Sequence, residues 1–200
     1  MKRFALALAI AVAAAGCSST GKEPPAPAVA ASPDYKYLIG AGDQLNIQVW
    51  RNPELSSTVP VRPDGKVTAP LIEDLPALGK NPTELAREIE TQLKKYIQDP
   101  VVTVIVTGFV GPFSEQVRIV GSATRPTALP YRQNMTVLDA MIAVGGITEF
   151  ASGNRAVLVR ASEGNKQYNL RLRDLLQRGD ASANADLKPG DIVIIPESFF

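Results

Sequence analysis

With 200 residues the chain is long enough for one ordinary domain or two small ones. Its 21 basic and 20 acidic side chains nearly cancel, which excludes the basic surface needed to grip a nucleic acid backbone. Histidine is absent and cysteine occurs once, so no catalytic group, cofactor or metal site is expected.

The chain opens with a targeting signal. Lys2 and Arg3 precede twelve uninterrupted apolar residues, Phe4 to Ala15, too few to cross a bilayer as a helix, which takes about 20. A short basic start, a brief apolar middle and small residues make residues 1–16 a secretory signal. Cys17 follows at once, and a lone cysteine in an exported chain has no disulfide partner. Ala14-Ala15-Gly16-Cys17 resembles the lipobox of bacterial lipoproteins, with Ala14 where leucine is commonest. That resemblance implies that Cys17 is acylated and becomes the first residue of a mature chain close to neutral charge. Ser18 stands where an aspartate would favour the inner membrane, so the resemblance implies anchoring at the outer membrane. Three acyl chains would hold almost permanently, at about 0.8 kcal/mol per buried methylene.

Residues 17–34 are expected to form a tether. Four prolines fall between Ser18 and Pro33, with many alanines and serines and no aromatic residue, a composition that cannot build a core. Pro24-Pro25 and Pro27 favour an extended spacer reaching roughly 50 Å when drawn out.

A first α+β unit is expected over residues 35–110. Gly42-Asp43 turns into a strand in which Leu45, Ile47 and Val49 alternate with Asn46, Gln48 and Trp50. A second extended piece, Ser57 to Val61, meets the turn Pro63-Asp64-Gly65 and returns as a third strand, which reads as a hairpin. A helix follows, with Asn81 as N-cap, Pro82 first inside it and Glu84 closing a capping box. Leu85, Ile89, Leu93 and Ile97 form its apolar stripe, Glu90 and Lys94 an ion pair on another face, and Asp99-Pro100 its end. "VVTVIVTGFV" then reads as a strand.

Gly108, Gly111 and Pro112 mark a boundary, and a second unit is expected over residues 111–200. It starts with the strand "QVRIVG" and carries a helix capped by Thr136 and stopped by Gly145-Gly146. The strands "RAVLVR" and "QYNLRL", a short helical piece and the strand "DIVIIP" complete it. The order ββαββ, short helix, strand is that of a β-grasp domain. Gly-Asp before an alternating strand occurs twice, at Gly42-Asp43 and Gly190-Asp191. Glycine permits the turn and aspartate bonds nearby amides, so these residues read as turn formers rather than ligands.

"YLIGAGDQLNIQVW", "VPVRPDGKVTAPLI", "NPTELAREIETQLKKYIQDPVVTVIV" and "VRIVG" with "MTVLDAMIAVGGIT" together resemble the outer-membrane polysaccharide export lipoproteins. In that family a poly-export domain precedes a soluble-ligand-binding β-grasp domain, and the match runs over nearly all of residues 35–196. It is similar above all to the short members associated with exosortase-type exopolysaccharide clusters. The resemblance implies transport without bond chemistry: homo-oligomeric rings around a hydrated lumen in the periplasm, threaded by a polysaccharide. Longer members add a second β-grasp domain and a C-terminal amphipathic helix, whereas here the sequence stops at Phe200 and Phe199-Phe200 reads as a tail. A separate outer-membrane β-barrel and an inner-membrane chain-length regulator are therefore expected as partners. Arg125-Pro126-Thr127 stands where the family's β-grasp has Pro-Gly.

Two other classes compete. A monomeric periplasmic adaptor or ligand-binding lipoprotein fits the same residues and differs in stoichiometry. A polysaccharide hydrolase needs two carboxylates facing a sugar cleft. Its candidate pairs are Glu73-Asp74, expected in a loop, and Glu88 with Glu90, on a solvated helix face. Trp50 is expected as a buried anchor beside Arg51, and Arg171, Arg173 and Arg178 as a solvated set.

Overall fold

The computed structural model describes residues 24–27 and 35–198. The signal segment, Cys17 and Phe199-Phe200 lie outside the described residues. Two apolar cores organise the chain, one on each side of the segment 109–115.

The first core is built on a small antiparallel sheet. Its strand β1 (Gln44–Val49) is central, flanked by β2 (Ser57–Pro60) and, from far along the chain, β5 (Val102–Gly108). Alternation sends Leu45, Ile47 and Val49 inward with Val102 and Val104. Against them lies helix α1 (Pro82–Leu93), which buries Leu85, Ala86, Ile89 and Leu93. Asn81 and Glu84 exchange both bonds of a capping box, 2.9 and 3.3 Å. The helix stops at Leu93 rather than near Ile97, where the amides of Lys95 and Tyr96 bond three residues back, to the Gln92 and Leu93 carbonyls, and tighten the last turn. Glu90 is not paired with Lys94. It binds Arg87 at 2.5 Å and accepts the Val102 amide at 2.9 Å, which ties the helix to β5.

The expected hairpin forms differently. The turn at Arg62–Gly65 is present, with one bond from the Arg62 amide to the Lys66 carbonyl, but β3 (Lys66–Ala69) ladders with β4 (Ile72–Pro76) and not with β2. A second turn through Leu71, at φ 62, comes too soon for β3 to run back along β2. Glu73-Asp74 therefore sits in a strand rather than a loop. The register shift across this pair and the φ of 51 at Asp74 put the two buried residues of β4, Ile72 and Leu75, three apart, which conceals the strand's period.

The second core lies under a five-stranded sheet. In chain order it comprises β6 (Gln116–Gly121), β7 (Thr127–Pro130), α2 (Val137–Val144), β8 (Ala156–Arg160), β9 (Lys166–Leu170), α3 (Leu172–Gln177) and β10 (Ile192–Ile195). The spatial order is β7-β6-β10-β8-β9, with β10 parallel to β6 and every other pair antiparallel. First and last strands side by side, with hairpins outside them and a helix across one face, make this a β-grasp sheet. Val117, Ile119, Leu158 and Val193 pack on Val137, Ala140, Met141 and Val144 of α2. Gly121 has no room for a side chain, since a Cβ there would lie 2.1 Å from the Ile195 carbonyl oxygen. At the Arg125-Pro126-Thr127 departure, the Arg125 amide bonds the Val144 carbonyl at 3.1 Å, fastening the loop to the end of α2.

Part of the tether is not free. Pro24 accepts the Asn169 amide at 2.8 Å and Ala26 donates to the Asn169 carbonyl at 3.2 Å, so this stretch adds itself in parallel to the open edge of β9. Ala26 also packs against the second core. A composition that cannot form its own core can still borrow a sheet edge.

Inside the second unit Arg160 and Asp191 are 1% and 0% exposed and paired at 3.3 Å. All of this carboxylate's contacts fall on Oδ2, and Oδ1 has no partner. Burial raises the Asp191 carboxyl above its usual range, against the pull of the Lys188 amide and Arg160. Breaking such a pair leaves a buried charge uncompensated. Asp191→Asn should lower stability by about 3 kcal/mol, read as a lower urea midpoint, and adding Arg160→Met should recover much of the loss.

Candidate functional site

The junction between the two units is built around one carboxylate. Residues Gly40 to Asp43 form a turn in which the Asp43 amide meets the Gly40 carbonyl at 3.2 Å and Asp43 Oδ2 accepts the Gly40 amide at 2.8 Å. The same Oδ2 takes the Tyr37 hydroxyl at 2.6 Å. Oδ1 reaches the connecting segment and accepts the amides of Val110 and Gly111 at 2.7 and 2.9 Å. From the other side, Gln116 Nε2 donates to the carbonyls of Val110 and Gly111 at 3.2 and 3.3 Å. The Val110-Gly111 segment is thus held from both units at once. Gly40 is required by contact, since a Cβ there would lie 2.0 Å from the Gly111 carbonyl carbon.

Aromatic rings gather around this clamp. Tyr37 meets Phe109 edge to face at 5.4 Å, and Tyr35 meets Tyr131 at 5.0 Å. Burial, helped by Glu115, pushes the Tyr35 phenol up to about 12. Burial and then the Asp43 bond push Tyr37 up as well. Tyr37, Phe109, Pro130, Tyr131, Arg132 and Gln133 line a recess of about 530 Å³.

The turn residues singled out in the sequence are dispersed. Gly190-Asp191 repeats the Gly42-Asp43 geometry: its glycine has φ 80 against 90, and Asp191 accepts the Lys188 amide at 2.9 Å. Asp64 bonds Arg62 at 2.7 Å and the Lys66 amide at 3.3 Å beside Pro63 and Gly65, the last at φ 78. Gly145 and Gly146 follow α2 at φ 79 and 83. Of the carboxylate pairs, Asp74 is engaged by Arg62, Glu88 by Lys80 and Glu90 by Arg87. Arg171 binds Asp180, Arg178 binds Asp174, and Arg173 donates to the Ala151 carbonyl. Trp50 is not a buried anchor. It is 69% exposed, on the outward phase of the strand that buries Val49, with Arg51 at φ 62 behind it. Among the described residues no group of His, Cys, Asp or Glu could hold a metal ion, and no helix is long and apolar enough to cross a membrane.

The aromatic junction escaped sequence reading. Tyr35, Tyr37 and Phe109 flank the glycines that mark the boundary, and aromatic residues at both ends of a predicted unit were the available signal.

A small α+β unit clamped to a β-grasp unit through a shared linker defines a two-domain module. Residues 31–107 match the model of the polysaccharide biosynthesis/export proteins, and residues 115–195 match the SLBB domain. The chain belongs to the polysaccharide export protein family. It is 29% identical over 185 residues to the EPS I polysaccharide export outer membrane protein EpsA of Ralstonia nicotianae, covering 80% of this chain and 47% of that protein. It is 30% identical over 178 residues to the exopolysaccharide production protein ExoF of Rhizobium meliloti, covering 81% and 41%. With the capsule polysaccharide export protein BexD of Haemophilus influenzae it shares 28% identity over 183 residues, covering 80% and 43%. The chain spans less than half the length of these curated relatives.

The junction tyrosines carry a pH signature. In the fold Tyr35 keeps its proton up to about 12, whereas an unfolded tyrosine releases it near 10. The folded chain binds more protons in that window, so stability falls as pH rises through it. Tyr35→Phe should flatten this decline, measured by urea unfolding at a series of pH values from about 9 to 12.

Proposed function

We propose that the chain is a non-catalytic translocation component for capsular or exopolysaccharide, anchored through Cys17 at the outer membrane, facing the periplasm and assembled into rings. One observation carries the assembly: two pairs of exposed apolar side chains on the first unit. Trp50, Tyr96, Val101 and Leu71 are 69%, 59%, 55% and 47% exposed. The Trp50 amide bonds the Val101 carbonyl at 2.9 Å, and Leu71 and Tyr96 line one surface recess. Such pairs on a small unit favour docking against a differently shaped face of a second copy, and a heterologous contact closes into a ring when its rotation divides the circle.

The relatives' names supply the cargo, since those proteins are called exporters of EPS or capsule polysaccharide. A polymer sliding past hydroxyls and amides needs no bond made or broken. The borrowed edge of β9 supports an orientation. Six residues lie between Cys17 and Pro24, a reach of at most about 25 Å over the seven Cα steps, so in this reading the β-grasp unit sits close to the membrane. Residues 35–110 and 111–200 act as the two domains, and a separate outer-membrane β-barrel and an inner-membrane chain-length regulator complete the path.

Native mass spectrometry and negative-stain imaging of residues 18–200, and of the lipidated full chain in detergent, test this directly. Closed rings are the expected result, and Trp50→Ser with Tyr96→Ser should shift them to monomers and reduce polymer secretion. Dispersed monomers in both preparations would instead favour a periplasmic adaptor. Cys17→Ser should move the chain from the membrane fraction to the soluble one.

A further inference from the structure

We propose that the groove at the domain junction binds a short segment of an acidic glycan, with Phe109 under a sugar ring, Tyr37 at that ring's edge, and Lys36 and Arg132 against its carboxylates. This inference rests on the export reading and adds to it a cargo chemistry and a contact site.

The recess of about 530 Å³ does not stand alone. It shares Pro130, Arg132 and Gln133 with a recess of about 330 Å³ that reaches Asn134 and Ala143. On its other side it shares Tyr37 with one of about 560 Å³ that runs to the start of α1. Together they form a trough across the junction, long enough for more than one sugar. A domain boundary is a common place for ligand clefts.

The middle of the trough is aromatic and held in place. Tyr37 is fixed at its hydroxyl by Asp43 and at its ring by Phe109, while Phe109 remains 58% exposed. The flat C–H face of a pyranose stacks on such a ring, leaving its hydroxyls to the nearby amides of Gln133 and Asn134.

Charge decides which sugar. Lys36 and Arg132 are exposed on either side of the aromatic centre, and neither makes an ion pair among the described residues. Two carboxylates keep their charge at the ends of the trough, Glu84 on the Asn81 amide and Asp139 on the Thr136 amide and hydroxyl, while the middle recess is lined by Arg132 and by no acid. An unpaired Arg132 in a middle recess without a carboxylate favours an anionic guest there, and its planar guanidinium suits a uronate carboxylate. Phe109 lies just past the end of β5 opposite Trp50 and Val101, about 26 Å away along the strand, so glycan binding and subunit docking use separate surfaces.

The test is calorimetric titration of the full chain with an oligogalacturonate hexamer, and with maltohexaose as the neutral comparison. Arg132→Glu and Lys36→Glu should each weaken hexauronate binding about tenfold, an effect that fades with salt, while leaving maltohexaose unchanged. Phe109→Ala should weaken both sugars about tenfold. Phe150→Ala, an exposed aromatic outside the trough, should alter neither. Unfolding curves matching wild type confirm that these surface variants fold. Absence of hexauronate binding at about 10 mM, or binding indifferent to Phe109→Ala and Arg132→Glu, overturns the groove. A chain with a defective groove that still secretes polymer overturns this inference alone, whereas secretion undisturbed by deleting the whole chain overturns the export reading.

Discussion

The structure depends on a buried carboxylate that has found four donors. Asp43 is fully enclosed, and its two oxygens accept the Gly40, Val110 and Gly111 amides and the Tyr37 hydroxyl. A carboxyl group without partners in such a place would be costly, and each hydrogen bond to a charged group contributes about 1.5–3 kcal/mol. The donors come from the turn before β1, from the N-terminal approach and from the linker, so satisfying one side chain sets the geometry of all three. Gln116 completes the arrangement by taking the linker carbonyls from the second unit. A junction so constrained holds the aromatic rings around it in fixed positions.

The same turn serves a different end in the second unit. Gly190-Asp191 reproduces the backbone geometry of Gly42-Asp43, yet the aspartate there faces Arg160 instead of a linker. In the first unit the spare acceptors join two domains. In the second they neutralise a cation inside one domain. A local device thus acquires its role from what the rest of the chain brings beside it. The unpartnered Oδ1 of Asp191 shows that the second use is the less complete one.

The surface divides along β5. Its start carries exposed apolar groups, and its end leads into a trough of rings, amides and unpaired cations. Under the proposed role in moving a hydrated polymer, weak and repeated contacts would be an advantage, because a tightly held sugar would stall. Of the four carboxylates considered for a hydrolase, Asp74, Glu88 and Glu90 are held in ion pairs with Arg62, Lys80 and Arg87.

How much of this was legible in the sequence follows from the range of each interaction. The capping boxes at Asn81 and Thr136, the glycines at positive φ and the alternation of β1 and β8 are decided within a few residues, and the family fold could be read from them. Strand β4 was hidden because a left-handed Asp74 broke its period, and Trp50 was misjudged because the indole's apolar character was weighed above the outward phase it shares with Asn46 and Gln48. Asp43 announced itself as a turn residue, but its bonds to Val110 and Gly111 span 67 and 68 positions. The sequence by itself determined most of the secondary elements and their order, because those rest on local preferences and on the period of apolar residues. Only the tertiary structure decided the clamp, the trough and the tether's place on β9, because each needs distant segments to meet at hydrogen-bonding distance.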